Sequence, residues 1–273
     1  MHIVIVSDYG YVSGGAAQVA IRSAVALAEQ GAEVTFACAL GPPAAELDRP
    51  GITVRCAGSS NIWAVRPAWR AATQGIWNEA AGRWFSALLA GCDPASSVVH
   101  LHQWTKAFSP SVLAATATSG LPAVVTLHDY FLACPNGAYF DYLHERPCTV
   151  QPMSTACWAA NCDSRSRAHK GVRLLRQVTT GAAVRRWPAP LNVIHVSQRA
   201  AEVARPLLPH AVRDWVLPNP VEPVARPRVT AEHNRPAWRP IDEARCRPSG
   251  AAGLPNRRTH LRRWHHDGRG SSA

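Results

Sequence analysis

The chain has no apolar run near the ~18 residues that a membrane-crossing helix needs, so a helical span is excluded at the level of sequence. Its first residues, Met1-His-Ile-Val-Ile-Val-Ser7, carry no basic leader and no small-residue cleavage site. They read as a buried first strand and not as a secretory signal. Without such a signal, the eight cysteines are expected to be free thiols in a reducing compartment. No C-x-x-C pair occurs, which removes the familiar zinc knuckles. The full G-x-G-x-x-G dinucleotide fingerprint is missing, and no internal repeat is visible. Lysine is absent from His233 to Ala273, where nine arginines and three acids supply +6 of the net charge of +11. The rest of the chain is therefore only mildly basic. A nucleic-acid reading rests on the tail alone, whereas mild basicity suits small anions such as nucleotide diphosphates.

What is present is an alternation of strands and helices. Residues 2–7 form a continuous apolar run, as in a strand covered on both faces. A loop ending in Ser13-Gly14-Gly15 leads into a helix over 16–30, which Gly31 ends, and Glu33 to Cys38 is the next strand. Such a unit implies a right-handed parallel crossover. Further strands are expected at 52–56, 97–102, 123–127, 191–196 and 213–217, and helices at 110–119, 164–187 and 198–207. A long helical stretch over 63–89, broken around Pro67, carries Trp69, Trp77, Trp84 and Phe85 as an aromatic stripe for the core. Cys38, Cys56 and Cys92 are expected in the core as well. The fold class is α/β, a Rossmann-like doubly wound parallel sheet spanning residues 1–222. Residues 223–273 have no strand or helix period and read as a disordered tail.

Ligands of open α/β sheets sit beyond the carboxyl ends of strands, and three motifs fall there. Gly14 and Gly15 open the first helix, where a phosphate can approach bare backbone and free amides. His100 and His102 lie two apart at the end of a strand, so they point the same way and read as polar residues on a pocket rim. His128 and Asp129 directly follow Ala123-Val-Val-Thr-Leu127, and an imidazole there can act as acid, base or phosphate partner. Four thiols follow: Cys134, Cys148, Cys157 and Cys162. Four thiolates can close a tetrahedral structural zinc site; a redox-sensitive pair and plain packing thiols are the alternatives. Arg165, Arg167, His169 and Lys170 then open a helix at the end where cations oppose its dipole, which favours a role toward an anionic ligand.

These motifs, in this order, resemble the N-terminal half of family 4, GT-B-type glycosyltransferases. The resemblance rests on the first strand with Ser13-Gly14-Gly15-Ala16, on Val98-Val-His-Leu-His102, on Pro122 to Asp129, and on Val193-Ile-His-Val-Ser-Gln198. Pro218-Asn-Pro-Val-Glu222 resembles the stretch where such enzymes cross into their second domain. The segment from Cys134 to Lys170 resembles a subset acting on surface or exported polysaccharides. The resemblance implies two Rossmann-like domains facing a cleft, the first binding a glycan or lipid-linked acceptor and the second the nucleotide-sugar donor through two glutamates eight positions apart. It implies transfer with retention, no cofactor or divalent metal for transfer, and a cytoplasmic protein with peripheral association at the inner face of the membrane. By position, Gly14 and Gly15, with Arg165 and Lys170, would serve the donor diphosphate or substrate. His128, with Asp129 beside it, would be the catalytic pair.

The chain departs from that pattern after Glu222. No Glu-x7-Glu appears there, and the Arg, Pro, Gly, His and Trp content resembles a GC-rich gene read in another frame, with a shift near residues 232–240. The expectation is a truncated glycosyltransferase-like protein with little activity alone. An acceptor-binding module working with a separately encoded donor domain is the first alternative. Nucleic-acid binding through the basic tail is the second.

Overall fold

A computed structural model describes residues 1–187, 190–208 and 212–220. Strand β1, His2–Tyr9, is buried from Ile3 onward. Side chains alternate across a strand, so Ile3 and Ile5 join one apolar cluster while Val4 and Val6 join another. Helix α1, Gly15–Glu29, closes the first cluster with Ala20, Ile21 and Ala24. Strands β2, Glu33–Leu40, and β3, Ile52–Cys56, extend the sheet on that side. Helices α2, Ala68–Ile76, and α3, Glu79–Leu89, precede β4, Ser97–Leu101, and α4, Pro110–Thr118, precedes β5, Ala123–Leu127. A two-residue hairpin, β6 at Phe140–Asp141 with β7 at Arg146–Pro147, and the short α5, Thr155–Ala159, occupy the cysteine segment. Then come α6, Arg167–Arg185, β8, Leu191–His195, α7, Gln198–Ala204, and β9, Val212–Val216.

The main sheet runs β3-β2-β1-β4-β5-β8-β9, and every pairing in it is parallel. Its order reverses between β1 and β4. Crossovers on both sides of that point leave a crevice outside the carboxyl ends of these strands. Phe85, Phe108 and Leu113 fill the larger core on the face away from α1, with Val99, Leu101, Val125 and Val193 pointing into it. The doubly wound Rossmann-like expectation matches this architecture, and the strand positions agree to within two residues.

Several expectations need correction. The stretch over 63–89 is two helices, parted at Trp77-Asn78, and residues before Pro67 are not helical. Asn78 caps α3 by accepting from the Ala81 amide at 3.1 Å, which fixes the break. Phe85 is buried and Trp77 and Trp84 pack against the core, but Trp69 is 62% exposed. Cys38 is a core residue, whereas Cys56 is exposed on the edge strand β3. Helix α6 begins three residues later than expected because the Ser166 hydroxyl caps it, accepting from the His169 amide at 3.3 Å. The expectations of a disordered tail over 223–273, of a frameshift in it and of nucleic-acid binding through it, and the end of the Pro218–Glu222 motif, lie outside the described residues. Among the described residues, no helix is long and apolar enough to cross a membrane.

Candidate functional site at the strand ends

Asp8, next to last in β1, organises the crevice. Its carboxylate accepts three backbone N–H bonds, from Lys106 at 2.8 Å, Ala107 at 2.9 Å and Phe108 at 2.8 Å. The loop after β4 is thereby tied to the end of β1, and Lys106 is held beside Tyr9, its Nζ 5.9 Å from the ring centre. Burial raises the Asp8 pKa, and the three amides pull it back down. Sequence reading passed over Asp8. The available signal was a carboxylate at the end of the first strand of a doubly wound sheet, a position that burial forces to find several partners.

His100, His102 and His128 form a ladder. The rings of His100, in β4, and His102, just past its end, are 4.1 Å apart, and His102 Nδ1 lies 3.0 Å from His128 Nε2. His100 Nε2 is 2.7 Å from the Thr126 hydroxyl. Burial lowers His128 to a pKa of about 4. His100 is held at about 4 by burial and then by His128, and His102 falls well below the usual value for the same reasons. All three are neutral imidazoles at neutral pH. His102 is 3% exposed and neither it nor His100 lines the 520 Å³ cavity described below, so the pocket-rim expectation gives way to a ladder with His102 buried and His100 and His128 half-buried.

His128 and Asp129 engage different neighbours. His128 joins the ladder, whereas Asp129 Oδ1 accepts from the Phe131 amide at 3.1 Å. Burial raises the Asp129 pKa to about 6, against the pull of that amide and of Arg176 and Lys106. Gly14 and Gly15 lie where the loop after β1 enters α1, on the same carboxyl edge as His128, with only β4 between their strands. No side chain caps that helix start, and a Cβ at either glycine would meet nothing within 4 Å. Backbone amides and open space coincide there.

A cavity of about 520 Å³ adjoins this edge, with Lys106, Arg165, Arg173 and Arg176 among its walls. Helix α6 explains the division of its cations. His169, Val172, Arg173 and Arg176 recur at helical spacing and face the cavity. Lys170, Leu174 and Gln177 recur on the buried face beside it. Arg165 lines the cavity, its guanidinium 3.6 Å from the centre of the Trp63 ring. Lys170 does not. It is 3% exposed, and its ammonium lies 3.0 Å from Cys162 Sγ and 3.7 Å from Cys157 Sγ. Assigning Lys170 to a bound anion is corrected on that ground.

The cysteine segment is organised by Asn136. Its Oδ1 accepts from the Ala138 amide at 2.9 Å and from Cys134 Sγ at 3.2 Å, and its Nδ2 donates to the Phe140 carbonyl at 2.7 Å. Cys148 Sγ points to the Val150 carbonyl at 3.9 Å. Among the described residues all cysteines are free thiols, and no group of three or more His, Cys, Asp or Glu is arranged to hold a metal ion. Cys134, Cys148, Cys157 and Cys162 are thus not assembled as the tetrahedral zinc set that their number suggested. Each sulfur has a protein partner instead, and a lysine ammonium borders two of them.

Comparison with known proteins gives one family. The model described as Glycosyltransferase Family 4 matches residues 13–224. Among solved structures, the crystal structure of TcCGT1 in complex with UDP is similar at 12% identity, over 82% of this chain and 51% of that one, with a TM-score of 0.43. That of Acinetobacter baumannii MurG is similar at 15% identity, over 80% of this chain and 67% of that one, with a TM-score of 0.31. The chain spans about half the length of TcCGT1. No curated protein matches the sequence.

Proposed function

The chain belongs to Glycosyltransferase Family 4, and from that premise we propose that residues 1–222 form the acceptor-side wall of a GT-B-type transferase cleft. The reaction is transfer of a sugar, with retention, from a nucleotide-sugar donor to a saccharide or lipid-linked acceptor. One observation carries this reading: Asp8 near the end of β1 and His128 and Asp129 after β5 lie on the same carboxyl edge with only β4 between their strands, near a cavity rich in cations.

Each side chain has a role set by its environment. A neutral His128 supplies a directional hydrogen bond to the transferred sugar and adds no charge to the diphosphate. Asp129, ionised only above about pH 6, keeps Arg176 and Lys106 turned to the cavity through their mutual attraction. The open amides at Gly14 and Gly15 suit the leaving diphosphate, whose charge must be stabilised as the bond to the sugar breaks. A second, donor-binding domain, separately encoded or otherwise, completes the cleft in this proposal. An acceptor-binding module without transfer is the second reading.

Nucleotide release from labelled UDP- and GDP-sugars by the purified 273-residue chain separates them. The expected result is weak donor binding and slow release that His128→Ala abolishes while the circular dichroism stays unchanged. Robust transfer by the chain alone would contradict its assignment to the acceptor wall. Release that survives His128→Ala would remove that residue from the chemistry, and no release under any condition would leave the binding module as the better reading.

A further inference from the structure

We propose that Cys38 and Cys56 form a redox-active thiol pair, a site where a small disulfide such as oxidised glutathione is reduced and the edge strand β3 becomes covalently stapled to β2. The proposal does not depend on the transferase reading.

The sheet register makes the pair. Cys38, near the end of β2, and Cys56, the last residue of β3, are direct partners in a parallel pairing. Residues directly opposite in neighbouring strands stand about 4.8 Å apart. That lies toward the short end of the range, about 4.4 to 6.8 Å between Cα atoms, that a disulfide spans. Both side chains point to one face. Cys38 belongs to the apolar cluster under α1, and Ile52 and Val54 pack on the same cluster. The two-residue period of a strand carries Cys56 to the face of Ile52 and Val54. Its thiol points back toward β2, 3.7 Å from the Ala39 carbonyl. The two sulfurs feel each other directly: burial first, and the adjacent Cys56 thiol second, push the Cys38 thiol up to about 12. Both are free thiols.

Unequal exposure sets the order of the chemistry. Cys38 is fully buried and Cys56 is exposed, so an external disulfide reaches Cys56 and not its partner. The Cys56 thiolate attacks one sulfur of oxidised glutathione, which forms a mixed disulfide and releases one glutathione thiolate. The Cys38 sulfur then attacks the Cys56 sulfur. The second glutathione leaves as its thiolate and takes up the Cys38 proton. Two protein thiols have lost two hydrogens, and one oxidised glutathione has become two reduced ones. A link at the short end of the range carries strain and is more easily reduced than a structural disulfide, so the exchange reverses when thiol is in excess.

The consequence is local. Strand β3 ends the sheet order, and its register partner is β2. Past Cys56 the pairing continues through the Ala57 amide to the Cys38 carbonyl at 2.9 Å and the Ser59 amide to the Ala39 carbonyl at 2.9 Å. Edge strands are the readiest to open. A covalent link beside these two bonds restricts the opening of the segment it closes.

Thiol mapping of the purified full-length chain tests the assignment. The chain is equilibrated with graded mixtures of reduced and oxidised glutathione and quenched with acid. Remaining thiols are alkylated and the peptides read by mass spectrometry. The expected product is a Cys38–Cys56 linked peptide that has lost two hydrogens and both alkylation sites, and that dithiothreitol restores to two thiols. Cys56→Ser, at an exposed position, should keep Cys38 as a free thiol throughout. Cys38→Ala, with its fold checked by thermal melting, should stop at one glutathione on Cys56. Hydrogen exchange at the Ala57 and Ser59 amides should slow in the linked wild-type chain. A wild-type chain that holds glutathione on Cys56 without closing the link would make Cys56 a lone surface thiol. Oxidation confined to Cys134, Cys148, Cys157 and Cys162 would place the redox chemistry in the cysteine segment. Alkylation of both thiols at every mixture, or equal amide exchange in linked and reduced chains, would remove the reaction or its effect on the edge. Each of these overturns the proposal, and the wild-type map decides it even where a variant fails to fold.

Discussion

His100, His102 and His128 give the clearest handle at the scale of single residues. Each is neutral in the folded chain because burial penalises the imidazolium, yet each regains a pKa near 6.5 on unfolding. Between about pH 6.5 and about pH 4 the unfolded chain therefore binds more protons than the folded one. Linkage makes stability fall as pH drops through that window, by up to about 1.4 kcal/mol per pH unit for each histidine. Asp129 acts oppositely. Its raised pKa of about 6 means the folded chain takes its proton first, so below pH 6 it offsets part of the loss. Asp8, also raised, adds to that offset. The net expectation is a fall in unfolding free energy between pH 7 and pH 5, shallower than three histidines alone would give because the aspartates oppose it. Urea titrations at stepped pH measure it, and His128→Gln should flatten the slope by roughly the share of one proton. A stability that rises on acidification would mean the ladder is already charged in the folded state.

Elements rather than residues decide what was legible beforehand. The parallel strands were readable because buried strands are continuous apolar runs, and their ends located His128 and Asp129 at once. Helix α6 was readable as a helix but not in its rotation. One residue is a turn of about 100° on its surface, and that separates His169 at the cavity from Lys170 among the thiols. Charge alone could not assign the two to different faces. The cysteine segment was opaque because its order comes from side chain-to-backbone bonds at Asn136, which leave no period in the sequence. Its glycine is the testable element. Gly137 has φ of 73°, and a Cβ there would come within 2.5 Å of the Phe131 ring. Gly137→Ala should destabilise the chain by about 1 to 3 kcal/mol and displace Phe131 from the cavity wall. Gly15→Ala is the contrast, since its Cβ meets nothing and alanine favours a helix. It should leave the melting temperature level or slightly raised while slowing nucleotide release. Equal stability of both variants, by thermal melts monitored at 222 nm, would contradict the steric reading of Gly137.

At the scale of the whole molecule, the question is which part of the chain is needed for the fold. All seven strands of the main sheet lie between His2 and Val216, and every parallel pairing closes within them. Among the described residues, the two apolar clusters run from Ile3 to Val212. The ties at the crevice, Asp8 to the loop after β4 and Arg176 to the cysteine segment, fall inside the same limits. Hydrophobic burial and backbone pairing are the main favourable terms in folding, and the described residues up to Pro220 supply both a seven-stranded sheet and two apolar clusters. A chain ended after Glu222 is therefore expected to unfold cooperatively, with a melting temperature within about 4 °C of the full chain, a shift equivalent to roughly 1 to 2 kcal/mol at this size. It should also lose the +7 carried by residues 223–273, and with it any salt-sensitive retention on a polyanion such as heparin or DNA. Melting curves and salt-gradient elution of the two chains side by side read out both. A large drop in melting temperature on removing the last 51 residues would place part of the folded unit beyond Glu222 and end the claim that this wall stands alone.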